Sequence, residues 1–154
     1  MGGRGVDLSI IANRRFRQIA KPYVLQINNQ NIHVETVGPI AGNKSSAPLR
    51  SFTSDAYRLK NGDGDYSQIV LFNPQIEENG IRSRQRKVSY EWDKNTGNKD
   101  CPPCTVHKHL WENDVKDREH RAITEAEYLA LKDNAGFPDF VKYKVETEDG
   151  YIIK

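Results

Sequence analysis

Nine consecutive residues carry most of the coordination chemistry in this sequence: Cys101-Pro102-Pro103-Cys104-Thr105-Val106-His107-Lys108-His109. Cys-x-x-Cys is the spacing at which a tight knuckle brings two thiolates to one tetrahedral ion. His107 and His109 stand two apart, so an extended chain turns both to one face. Zinc suits two sulfurs with one or two nitrogens, and the two prolines reduce the entropy lost in ordering the knuckle. Cys101, Cys104, His107 and His109 are therefore the candidate metal ligands, and zinc in a structural role is the candidate cofactor. The usual second, distant ligand pair is not evident. A competing reading keeps the prolines as a rigid turn, the cysteines free and the histidines on a half-exposed strand.

Other chemistries fit the same residues less well. Cys-Pro-Pro-Cys resembles a thiol-redox site, which stabilises its first thiolate at a helix N-terminus, but Thr105 to His109 alternate like a strand. His33-Val34-Glu35 with Pro103-Cys104 mimics part of a zinc deaminase, yet both pieces lie in apparent strands and His107 stands where the last cysteine belongs. His107, His109 and His120 with Asn113 offer the residue types of a metal-dependent nuclease, with Cys101 and Cys104 holding part of the metal. The helix that follows carries no histidine, where such a site usually draws one ligand. Asn61-Gly62-Asp63-Gly64-Asp65 has oxygen donors for calcium, but it is also an excellent hairpin turn and lacks a bidentate glutamate in register.

A different kind of candidate is cationic. Arg82, Arg84 and Arg86 share strand parity with Val88, Tyr90 and Trp92, so one face is expected to run from positive to aromatic. Together with Lys87, such a face suits phosphates and stacked bases, or an acidic protein surface. Its bland alternative is an edge strand protected by charge from aggregation. The segment up to Lys21 adds Arg4, Arg14, Arg15, Arg17 and Lys21 against Asp7 alone, and reads as a basic arm. A solvated terminus explains it equally well.

The elements that must position these groups are mostly strands. Alternation from Tyr23 to Ile27 and again at Ile32 and Val34, across Asn28-Asn29-Gln30-Asn31, predicts a hairpin. A second hairpin turns at Asn61–Asp65 and ends before Pro74, and a third joins Phe140–Val145 to Tyr151–Ile153 through Glu148-Asp149-Gly150. One helix is well marked over 124–134. Thr124 and Glu127 form a capping box, Ile123 and Tyr128 a hydrophobic staple, and Asn134-Ala135-Gly136 before Pro138 ends it. The expected fold is α+β, a mostly antiparallel sheet of about three hairpins with that helix, as one domain over 22–154 behind the arm of 1–21.

Composition bounds the rest. The chain has 154 residues, a net charge of +2 and a hydrophobic share of 36%. Counting glycine in and tyrosine out gives about 39%, below the about 45–50% of average domains, so the core is lean and loops are long. No apolar run approaches the about 20 residues of a membrane helix, and a cytoplasmic setting is expected. In a reducing compartment, two cysteines this close suit a metal better than a disulfide.

Met1-Gly2-Gly3-Arg4-Gly5, His107-Lys108-His109-Leu110-Trp111-Glu112-Asn113 and Arg121-Ala122-Ile123-Thr124 with Glu127 resemble short accessory proteins of Gram-positive phages and mobile elements. The resemblance covers about a third of the chain and implies a setting in which small proteins bind and inhibit host machinery, CRISPR effectors and other defences included. Some proteins of this kind are toxins or virion components. With no complete catalytic set, the leading expectation is a non-enzymatic protein that binds a host protein or ribonucleoprotein, or nucleic acid, through its basic surface. Arg14, Arg15, Arg17, Arg82, Arg84, Arg86, Lys87, Tyr90 and Trp92 are the expected binding residues.

Overall fold

The computed structural model describes residues 16–39, 49–51, 54–94 and 100–154. Strands dominate. In chain order they are β1 (Phe16–Gln18), β2 (Tyr23–Ile27), β3 (Gln30–Pro39), β4 (Arg50–Ser51), β5 (Ala56–Lys60), β6 (Tyr66–Phe72), β7 (Ile76–Glu78), β8 (Ile81–Glu91), β9 (Thr105–Glu112), β10 (Val115–Lys116), β11 (Lys142–Thr147) and β12 (Gly150–Ile153), with helix α1 (Glu125–Asp133) before β11. Among the described residues, three tight turns have two successive residues in the left-handed region, at Asn28-Asn29, Asn79-Gly80 and Asn113-Asp114. Such turns follow the right-handed twist of the strands they join, and asparagine, aspartate and glycine tolerate that backbone.

The strands form one open sheet ordered β1-β3-β5-β6-β8-β9-β11-β12, with β2 beside β3, β4 and β7 beside β8, and β10 beside β9. The sheet is mostly antiparallel, as expected, but larger than three hairpins. Among the described residues, two pairings, β3 with β5 and β9 with β11, are parallel. Parallel neighbours need a crossover, and between β9 and β11 it contains α1. Hydrophobic periodicity reports how each strand faces a core, not which strand lies beside it, so these pairings were invisible to it.

The crossover lays α1 on one sheet face, where Leu25, Val34, Ile69, Tyr90, Val106, Leu131 and Phe137 belong to the main core. The helix starts as its sequence dictates. Thr124 Oγ1 accepts from the Glu127 amide and Glu127 Oε1 accepts from the Thr124 amide. Glu127 is itself buried, and its Oε2 accepts hydrogen bonds from Tyr90 Oη and Asn28 Nδ2 while Lys108 Nζ lies 3.6 Å away. Burial raises the cost of its charge, but the Tyr90 hydroxyl, the Thr124 amide, Asn28 and Lys108 together hold its carboxyl below the usual range. The opposite sheet face carries a smaller apolar cluster of Val37, Tyr57, Leu59, Val70 and Phe72. Val70 lies across from Ser89, and Ser89 across from His109. The histidines therefore continue the second face, away from the helix.

Candidate metal centre

Three histidines meet on that face. His107 and His109 alternate with Val106 and Lys108 along β9, and Lys108 exchanges both backbone hydrogen bonds with Arg121 at 3.0 and 2.9 Å. An antiparallel bridge at Lys108–Arg121 puts the preceding residue, His120, opposite His109 and on the same side. One ring nitrogen from each of His107, His109 and His120 lies within 4.8 Å of the others. The ring centroids form a near-regular triangle with sides of 4.7, 4.9 and 5.2 Å. An ion bound tetrahedrally at about 2.0–2.1 Å from each nitrogen would hold three imidazole centroids about 5 Å apart, so the triangle needs little adjustment to accept one.

Each ring also has an oxygen at its outer edge. His107 Nδ1 lies 3.0 Å from the Thr105 carbonyl, His120 Nδ1 lies 3.4 Å from Asp100 Oδ2, and His109 Nε2 lies 3.6 Å from Glu91 Oε1. A proton directed at the outer acceptor leaves the lone pair on the other nitrogen, which is how surroundings select the tautomer of a metal-binding histidine. His109 Nδ1 is buried without a hydrogen-bond partner, 3.5 Å from Asp117 Oδ1. An unpaired buried nitrogen is costly, and an ion beside it would remove the cost.

The electrostatics favour neutral rings. His107 and His109 are only 3% and 4% exposed. Burial pushes the His107 pKa down to about 4 and lowers that of His109, leaving both as the uncharged imidazoles that metals bind. Desolvation opposes the charge on Asp100, yet His120 and Lys144 hold its carboxyl below the usual carboxylate range. Lys144 is nearly buried and donates to the His120 carbonyl at 2.7 Å, tying β11 to the same loop. Asp117, kept ionised against its desolvation by Arg121 and the Leu110 amide, anchors the loop's other end.

The two cysteines part company. Cys104 sits at φ 61°, and its side chain packs against the helix-side core. Cys101 is fully buried on the histidine side, with Sγ 3.2 Å from His107 Nδ1. Burial pushes the Cys101 thiol up to about 11, so it is protonated at neutral pH. The Pro102-Pro103 turn ends in this left-handed residue and delivers the thiols to different surroundings. Of the four ligands expected from spacing, the gathered group contains His107 and His109. It adds His120 from outside the knuckle.

The cationic strand is rearranged by a bulge. Leu71 pairs with Val88 but Phe72 pairs with Arg86, so Arg86 and Lys87 together face one residue and the alternation shifts. Arg86 is consequently buried over the Trp111 ring at 4.4 Å rather than continuing the face of Val88. Arg84 pairs with Asp55 at 2.7 Å, and Arg82, largely exposed, lies 3.3 Å from Glu77. Lys87 is exposed. Tyr90 and Trp92 are core residues, the first bonded to Glu127 and the second donating its indole N–H to the Tyr66 carbonyl at 3.0 Å. Arg17 belongs to β1, while Arg14 and Arg15 lie outside the described residues.

Glu91, Asp100 and Asp117 had no local sequence signal. They acquire their places from strand register and from the bridge at Arg121. Among the described residues no helix is long and apolar enough to cross a membrane. Comparison with protein-family models, curated proteins and solved structures gave no match.

Proposed function

We propose that this protein is a metal-binding protein whose working centre is one zinc-class divalent ion on His107, His109 and His120. The observation that carries the reading is the convergence of three imidazoles, two of them buried and held neutral, with ligand nitrogens within 4.8 Å and an oxygen at the outer edge of each ring. Surface histidines rarely share such supports, whereas ligating histidines almost always have them. The ion would also pin the 117–121 loop to β9, so binding free energy becomes folding free energy.

The test is a zinc titration of the purified chain after treatment with a chelator. One equivalent is expected to bind, and at a free zinc concentration of about 100 times Kd the urea-unfolding free energy rises by about 2.7 kcal/mol. His109→Ala and His120→Ala are each expected to abolish stoichiometric binding. Retention of one tightly bound zinc by both variants would end the reading.

A second reading, capture of a host macromolecule through a basic surface, draws support from the exposed Arg82 and Lys87 on β8. Its probe is fluorescein-labelled single-stranded DNA. If these side chains bind phosphates, Arg82→Glu and Lys87→Glu should each lower the slope of log K against log salt by about 0.7. An unchanged slope in the double variant counts against it.

A further inference from the structure

A groove of about 580 Å³ has a floor built by strand register, and none of the three histidines lines it. Gln68 lies across from Glu91, and Trp111 across from Lys116. Directly opposed residues turn their side chains to one face of a sheet. Asp63 and Lys94 join them from beyond the ends of β5 and β8. The chain has two tryptophans, and both reach this groove. Trp111 is fixed in place by its neighbours. Its indole N–H donates to Ser89 Oγ at 3.1 Å, and the Arg86 guanidinium stacks over the ring at 4.4 Å. With the N–H already bonded, the half-exposed ring offers the groove only carbon atoms.

We propose that this groove is a saccharide site, which holds a neutral mono- or disaccharide by its hydroxyl groups. The charge count selects a neutral ligand. Arg86, Lys94 and Lys116 are balanced by Asp63, Glu91 and Asp93, with Lys94 at 2.9 Å from Asp63 and Lys116 at 3.9 Å from Glu91. A balanced groove does not concentrate phosphates or other anions. The chemistry of the lining selects hydroxyls. Its carboxylates only accept hydrogen bonds, its ammonium groups only donate them, and the half-buried Gln68 amide does both. A hydroxyl also does both, so neighbouring hydroxyls on one ring join a carboxylate and the ammonium beside it without parting the pair. An apolar ligand would instead desolvate those groups and leave them unpaired. The C–H groups of a sugar ring cover the carbon surface of Trp111, and because that ring is held before binding, little ordering entropy opposes the contact. The volume falls within the about 300–1,000 Å³ of ordinary small-molecule sites. The inference is independent of the metal reading, since the groove contains none of the three proposed ligands.

The experiment is a proton–nitrogen NMR titration of the full chain with cellobiose and, separately, maltose, with inorganic phosphate as the charged comparison. The two indole N–H signals report on the groove directly, and Trp111→Phe assigns them. At least one of the disaccharides should shift both signals saturably, in zinc-treated and chelator-treated protein alike. Gln68→Ala should weaken that binding by about 3- to 10-fold, the loss of hydrogen bonds between uncharged groups. Trp111→Leu should weaken it by about 10-fold or more, and Gln68→Ala keeps the test decisive if that variant folds poorly. A saturable shift in a chain that binds no zinc would uphold this inference while the metal reading fails. The inference is overturned if neither disaccharide gives a saturable shift, if Gln68→Ala binds as tightly as the parent, or if phosphate binds more tightly than the sugars.

Discussion

Lowering the pH of the metal-free protein from about 7.5 to about 5.0 should cost about 2 kcal/mol of folding stability through His107 alone. The side chain is almost wholly buried, and burial holds its pKa at about 4. In the unfolded chain the same imidazole titrates near about 6.5. Between those values the unfolded state binds a proton that the folded state refuses, so stability rises with pH and is lost as pH falls through this window. Loss begins near about pH 6.5 and is complete below about 4, where both states are protonated. His109, shifted in the same direction by burial, adds to the effect. The assay is urea unfolding followed by tryptophan fluorescence at both pH values with a chelator present. His107→Asn serves as the reference, since it removes the titrating group and keeps a polar side chain. The parent should lose about 2 kcal/mol more than the variant between the two conditions. Equal losses would refute the burial argument.

Three further outcomes follow from the packing. Tyr90→Phe removes the hydroxyl donor from buried Glu127 and should lower unfolding free energy by about 1.5–3 kcal/mol in urea titration. Gly136→Ala places a Cβ 2.9 Å from Tyr66 Cδ2 at a φ of +73°, and a fall in thermal midpoint is expected rather than the gain seen where alanine fits. Cys104→Ser should leave zinc stoichiometry unchanged, because its side chain belongs to the helix-side core; loss of the ion in that variant would restore the knuckle as the site.

The features legible in the sequence were those with local causes. Thr124 and Glu127 announced the helix start, and the structure has both hydrogen bonds of the capping box. Asn28-Asn29 and Gly150 marked hairpin turns for the same reason, since a turn's backbone demand falls on one or two residues. The centre was half legible. His107 and His109 were a visible pair because strand parity is local, but their alignment with His120 depends on the distant bridge from Lys108 to Arg121. The cysteines' placement was not legible, because Cys-x-x-Cys spacing assumes a knuckle, whereas the left-handed Cys104 packs on the helix-side core and Cys101 lies beside His107. Arg86 misled because parity holds only between bulges, and the shift at Phe72 turns it onto Trp111.

Histidine, not cysteine, is proposed to hold the ion, and X-ray absorption at the zinc edge of the 1:1 complex tests that claim most directly. Ligation by His107, His109 and His120 predicts nitrogen and oxygen neighbours at about 2.0–2.1 Å, with the longer-range scattering of three imidazoles. Sulfur neighbours at about 2.3 Å, or fewer than three imidazoles, would contradict it.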